Sequence, residues 1–412
     1  MNHIWKFLTS LRLTVACLAF GIVLVWVGTI AQADEGLYIA QERYFKQWWV
    51  VGIHLFGKHL PIALPGGYLI GVVLLVNLVT AHIKRFQWGW KKVGIHLTHA
   101  GIVVMLVGQL FTDMSQVESH LRFGEGETKN YTESHQEHEL IFVRDVDGGK
   151  EEVVAIPEKM IDGKGATLAL PLPAKPNAFE VRVKDYGINS QIRQRAPMMD
   201  KGEPPATQGS GAKATVVPQP EAKSMDARNL PFAVIEVVPR GAPESKTPQT
   251  WLVSPWLMDQ EMEIDGQKYR VGFRSTRYYF GQDLGNEPFQ MSLIKTTHEV
   301  YPGTATATNP QGIPKNFQSR VQLENAAASE KREVDIFMNN PLRYQGLTFY
   351  QYQMGRDEMD TARGTSTLQV VRNPSWLAPY IGCIIVGIGM TWQFMYHLVG
   401  FVRKRTAQPL PA

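Results

Sequence analysis

Residues 93–111 read Val93-Gly-Ile-His96-Leu-Thr-His99-Ala-Gly101-Ile-Val-Val-Met-Leu-Val-Gly108-Gln-Leu-Phe111. The run has close to the ~20 apolar residues that a helix needs to cross the hydrocarbon core of a bilayer. It also holds two histidines, and ionisable side chains at that depth are costly enough to need a reason. Gly94, Gly101 and Gly108 recur every seven residues and form one narrow stripe on which another helix can pack closely. At about 100° per residue, His96 and His99 project away from that stripe. Two readings stand side by side. The imidazoles bond to Thr98, to Asn77 or to a backbone carbonyl, or at least one of them is an axial ligand for haem iron in a dry bundle.

Working outward, three more spans are expected, at about 13–30, 61–83 and 376–401. The mean hydropathy of the 412 residues is slightly negative, because the apolar residues are concentrated in these runs. Pro61, Pro65, Gly66 and Gly67 crowd the start of the second span. Ala31-Gln-Ala33 resembles a small-x-small cleavage site, but the first run is longer than a signal-peptide core, so an uncleaved anchor is expected. Residues 43–60 mix aromatics with Lys46, His54, Lys58 and His59 and read as an interfacial amphipathic helix. Lys84, Arg85, Lys91 and Lys92 lie between spans two and three, and Arg403-Lys404-Arg405 follow span four. With Lys6 and Arg12 they fall on one side of a four-span arrangement, which makes that side cytoplasmic and both termini cytoplasmic. Residues 113–375 are then extracytoplasmic, which in a bacterial inner membrane means periplasmic.

That long segment has the two-residue period of strands, as in Phe179-Glu-Val-Arg-Val, Phe232-Ala-Val-Ile-Glu-Val-Val and Leu347-Thr-Phe-Tyr-Gln-Tyr, separated by turn signals such as Asp265-Gly266 and Asn339-Asn-Pro341. The fold class expected is a membrane protein with four transmembrane helices, three N-terminal (residues 1–112) and one C-terminal (376–412), around a sandwich-like all-β domain. Residues 196–228, rich in Pro, Ala, Gly and Lys, read as a flexible insertion.

The two cysteines, Cys17 and Cys383, sit in different spans at different depths and are expected to be free thiols. The chain has no C-x-x-C, no nucleophile–base set, no phosphate loop and no HExxH, and its net charge of +4 forms no stripe for nucleic acid. Of the 11 histidines, His82, His96, His99 and His397 fall at the cytoplasmic end of the spans, while His120, His135 and His138 lie in polar sequence and are expected to be solvated. A haem held by two histidines takes them either from within the chain, His99 with His82 or His397, or from this chain and a partner.

Several motifs together resemble the ResB family, also called CcsB, of the System II cytochrome c maturation pathway. They are Leu11-Arg-Leu-Thr with Gly28-Thr-Ile-Ala-Gln32, the run Gly94–Gly108, Gly124-Glu-Gly-Glu-Thr128, Met338-Asn-Asn-Pro-Leu-Arg-Tyr-Gln-Gly-Leu-Thr-Phe-Tyr-Gln351, and Leu368-Gln-Val-Val-Arg-Asn-Pro374. The resemblance implies a haem-handling subunit of a cytochrome c synthase (haem-lyase) complex, non-catalytic alone. Its partner would be a CcsA/ResC-type membrane protein. Haem b would pass transiently across the membrane for thioether attachment to apocytochrome c, whose cysteines are kept reduced by thiol-reducing proteins of the pathway. It also implies that a third-span histidine, His96 or more readily His99, is an axial haem-iron ligand. The tryptophan-rich haem loop belongs to the partner, and here Trp48-Trp49 is followed by Val50 rather than Asp. Two other classes remain as rivals: a b-type electron-transfer cytochrome with two internal histidine ligands, and a non-haem β-sandwich scaffold tethered in lipid.

Overall fold

The computed structural model describes residues 2–55, 57–146, 149–172, 175–196, 200–222, 228–245, 247–281, 287–304, 314–357, 360 and 363–406. Its helices are α1 (Asn2–Leu8), α2 (Leu11–Glu35), α3 (Leu37–Ala40), α4 (Gly67–Arg85), α5 (Val93–Ser115) and α6 (Ala378–Thr406). Four of them, α2, α4, α5 and α6, are long and apolar enough to cross a membrane, and the chain is a membrane protein. Large apolar side chains such as Val25, Trp26, Ile384, Ile388 and Phe394 point outward from these helices, as lipid-facing surfaces require. Both cysteines are free thiols.

The second span differs from expectation at its start. The helix begins at Gly67 rather than Pro61, and residues 49–65 form a hairpin of β1 (Trp49–Leu55) and β2 (Lys58–Pro65) instead of an interfacial helix. Pro65 interrupts a helix begun at Pro61, which accounts for the later start of the span. Gly52, at φ +74°, bulges β1 and shifts the register between Val51 and Ile53, which breaks the alternation that would have betrayed a strand. Val50 and Ile53 pack with Leu24, Val27, Ala31 and Tyr44 in a small core beside α2.

The remaining strands are β3 (Val117–Gly124), β4 (Thr128–Lys129), β5 (Tyr131–Val146), β6 (Lys150–Pro157), β7 (Thr167–Leu172), β8 (Lys175–Gly187), β9 (Ser190–Gln194), β10 (Ala214–Pro218), β11 (Phe232–Pro239), β12 (Thr250–Val253), β13 (Gln260–Ile264), β14 (Gln267–Tyr279), β15 (Gln290–Val300), β16 (Pro314–Asn325), β17 (Glu330–Phe337), β18 (Leu342–Tyr344), β19 (Leu347–Arg356) and β20 (Gly364–Arg372). They make an all-β unit from Glu118 to Val371. Its long sheet runs β13-β14-β5-β3-β20-β19-β18, with β6 also on β5. One end of this sheet packs against the sheet β12-β11-β8-β7 around Leu140, Phe142, Val181, Ile235 and Phe273. The other end packs against β17-β16-β15-β4 around Leu121, Met291, Leu323, Phe349 and Leu368. Two sandwich lobes thus share one long sheet.

The segment expected to be a flexible insertion is structured where it is described. Ala214–Pro218 pairs with β9, a short 3-10 turn spans Gly209–Lys213, and Ala206 and Ala214 are buried with Phe232, Val234 and Leu252. Alanines suffice because the backbones approach closely, so composition alone misread the segment. Residues 197–199 and 223–227 of it lie outside the described residues.

Two of the motifs are fold determinants. In Tyr344-Gln-Gly-Leu347 both loop residues have positive φ, +46° and +79°, the two-residue turn that matches strand twist, and it sends Leu342 and Phe349 into the core. In Gly124–Thr128, the Glu125 carboxylate accepts from the Thr296 amide at 2.6 Å and its hydroxyl at 2.7 Å, while the Glu125 carbonyl accepts from Arg363 Nε at 2.9 Å. The Glu125 and Gly126 amides donate to Gly364 and Leu293 carbonyls. Partial burial pushes the Glu125 carboxyl up, but the bonds from Thr296 outweigh it and its pKa lies below the ordinary value. A depressed carboxyl stabilises the fold fully above its unfolded pKa and loses that contribution as pH falls through the folded one. Glu125→Gln is therefore expected to cost about 1–3 kcal/mol near neutrality. The gap between variant and wild type should narrow in melts carried into the acid range, and a gap that widens on acidification contradicts this assignment.

Candidate functional site

The last turn of α4 and the first turns of α5 bring three histidines together. His96 and His99, three residues apart, share one side of α5, and His82 comes from α4. The His82 ring lies 4.9 Å from that of His96 at 89° and 5.4 Å from that of His99 at 32°, and Phe86 lies against His96 at 4.7 Å. His82, a candidate internal partner of His99 from the sequence, is hydrogen-bonded to His96 within the bundle.

The hydrogen bonds give these histidines different duties. His96 Nε2 lies 2.9 Å from the Gln87 carbonyl and His96 Nδ1 lies 3.2 Å from His82 Nε2. A carbonyl only accepts, so neutral His96 donates from Nε2 and accepts at Nδ1 from His82. Both of its nitrogens are thereby engaged. His99 donates from Nδ1 to the Ile95 carbonyl at 2.7 Å, which places its lone pair on Nε2. Among the described residues Nε2 of His99 has no hydrogen-bond partner. That is the arrangement of a metal-ligating histidine, one nitrogen tied back and the other presented.

His99 lines an open-sided groove of about 380 Å³ with Ile95 and Thr98 of α5 and with Met390, Gln393, Phe394 and His397 of α6. His397 is bonded to Gln393 at 2.8 Å. The groove is closed at its back by the glycine stripe. Gly94, Gly101 and Gly108 are buried, and a β-carbon on Gly94 or Gly101 would lie 2.5 Å or 2.7 Å from the carbonyls of Gly389 or Gly382, respectively. Gly108 instead meets the Ala378 side chain. At the basic end Trp392 donates to the Trp90 carbonyl at 3.1 Å. Asn77, the other polar residue weighed for the histidines, serves a different junction. Its amide donates to the Leu8 and Ser10 carbonyls and accepts from Thr14, holding the break between α1 and α2.

His82 and His99 do not fit as the two axial ligands of one haem. With iron–nitrogen bonds of about 2.0 Å, two imidazoles on opposite sides of a porphyrin have ring centres roughly 6.4 Å apart. The His82 and His99 rings are closer than this and in direct contact, so no porphyrin plane fits between them. Among the described residues no set of three or more His, Cys, Asp or Glu is arranged to hold a metal ion unaided.

Sequence reasoning missed the polar groups at the opposite end of the spans. Tyr68 donates to Asp113, Lys46 pairs with Glu42 at 2.6 Å and lies 3.7 Å from Asp113, and all but Glu42 line a cavity of about 420 Å³ floored by Val72, Leu75 and Leu106. Nearby, Glu35 is paired with Arg43 at 2.7 Å and with His54. The signal available was an acidic residue in the last turn of each of two apolar runs, Glu35 and Asp113.

Comparison with known proteins places part of the chain. The model of the ResB-like family matches residues 259–365, which all lie in the β unit and begin at the hairpin β13–β14. Protein NrfI of Wolinella succinogenes is 29% identical over 108 residues, an alignment covering 26% of this chain and 11% of that protein. The chain thus matches only about a tenth of the length of this curated relative, and neither match is the source of the assignment made for the membrane histidines.

Proposed function

We propose, on the premise that the chain belongs to the ResB-like family, that it acts in cytochrome c biogenesis as a haem-handling membrane subunit, with the basic ends of its spans on the cytoplasmic face. The observation that carries this reading is the presented Nε2 of His99, which opens on an apolar groove at that end of the bundle. His99 would supply one axial ligand, and a multi-span partner of CcsA/ResC type the other. Bound haem b supplies the vinyl groups that become thioethers with apocytochrome cysteines. This chain's own residues position and shield. The Ile95 carbonyl fixes the His99 tautomer, the His82–His96–Gln87 chain braces the first turns of α5, and the α5–α6 glycine contact keeps water from the back of the groove. The chemistry in this reading is controlled by orientation and iron ligation rather than by acid–base catalysis.

The test is to purify the chain with and without such a partner and record haem spectra. Haem recovered with the complex and not with the chain alone supports a shared site. Stable, reversibly reducible haem in the chain alone defeats the reading in favour of electron transfer, although the His82–His99 contact argues against that pair of ligands.

A further inference from the structure

The β unit holds a second group of histidines that the haem reading does not use. His138, expected in solvent, is instead 1% exposed and bonded at Nδ1 to Glu158 at 3.0 Å, a carboxylate that also accepts from Tyr186. It is held inside and is not available to a ligand. His120 and His135 are half-buried and adjacent. His120 on β3 is directly opposite Glu133 on β5, so His135, two residues on, shares its face. Their ring centres are 5.3 Å apart at 61°, and the Tyr352 ring lies 5.1 Å from His120. Nδ1 of His120 is buried with no hydrogen-bond partner, an expensive state for an imidazole nitrogen.

We propose that His120 and His135 form a binding site for a divalent transition-metal ion of the Cu²⁺ or Zn²⁺ type, on the β unit and separate from the membrane histidines. With metal–nitrogen bonds of about 2.0 Å and ring centres about 1.2 Å behind the nitrogens, two imidazoles at 90–110° on one ion stand roughly 4.5–5.2 Å apart. At 5.3 Å the pair stands at the wide edge of that spacing and is too close to sandwich a haem. The ligand must be neutral imidazole. Burial, and after it the neighbouring His135, holds the His120 pKa below the ordinary histidine value. Glu118, on the same face and bonded through one oxygen to Gln369 at 3.2 Å, is an acidic neighbour that offsets the charge of an incoming cation, while Arg122 opposes it. Two protein ligands leave the remaining positions to water or to a soft donor on a partner.

The experiment uses the full chain in detergent, stripped with chelator and titrated with Cu²⁺ by calorimetry and electron paramagnetic resonance. One nitrogen-ligated site is expected whose affinity falls at least about tenfold in His120→Gln and in His135→Gln. His99→Ala should leave that site intact, so failure here and failure of the haem reading are distinguishable. Retention of the site by both Gln variants overturns the proposal. Should either variant melt early, carbethoxylation of the wild type decides. Cu²⁺ must then protect His120 and His135, and equal labelling of both with and without metal overturns the assignment.

Discussion

On the proposed function, His99→Ala is expected to remove haem from the chain purified with its partner, whereas His96→Ala retains a reduced amount with an altered spectrum. The two residues are three apart on one helix and chemically identical, so composition and depth predict the same effect for both. The hydrogen bonds separate them. His96 spends both nitrogens on Gln87 and His82, and His99 keeps Nε2 available. Losing an axial ligand removes a bond to iron. Losing His96 removes a brace, and supporting groups of this kind are typically worth about 10–100-fold in metal affinity. The loss in His99→Ala should therefore exceed 100-fold, read as haem per complex at equal protein with the pyridine haemochrome. Equal retention in both variants makes the histidines structural and removes the basis of the proposed function.

The largest effect on the membrane part itself is expected from Gly101→Leu. A β-carbon there lies 2.7 Å from both the Gly382 carbonyl and the Val386 side chain, and two backbones cannot yield as a flexible side chain would. Overpacking typically costs about 1–3 kcal/mol, and here part of the opposing surface is backbone carbonyl and amide. The expected outcome is separation of α5 from α6, seen as loss of a disulfide cross-link engineered between them and as a lowered melting temperature. Gly387→Leu, in α6 with open space around it, is the control and should behave as wild type.

Much of this architecture was legible because the bilayer and the sheet impose strict periods. The four apolar runs, the strands such as 232–239 and 347–356, and the glycine stripe all follow from spacing. What escaped depended on neighbours remote in sequence. The hairpin at 49–65 hid behind a glycine bulge, and Ala206 and Ala214 became core because Phe232 and Leu252 close over them. His96 and His99 could not be told apart, since Gln87 and His82 reach them only after the α4–α5 turn has formed. The solvated reading of His120, His135 and His138 failed because polar sequence on a strand says nothing of what the next strand places opposite.

The glycine seam also sets a schedule. The whole β unit is encoded between α5 and the helix that packs on it, so at ordinary elongation rates α5 waits on the order of tens of seconds for α6. Until then Gly94, Gly101 and Gly108 are a bare stripe in lipid and the groove beside His99 lacks one wall. The α5–α6 seam is therefore completed only after the whole β unit has been made, and a chain cut short within that unit leaves the glycine stripe unpacked.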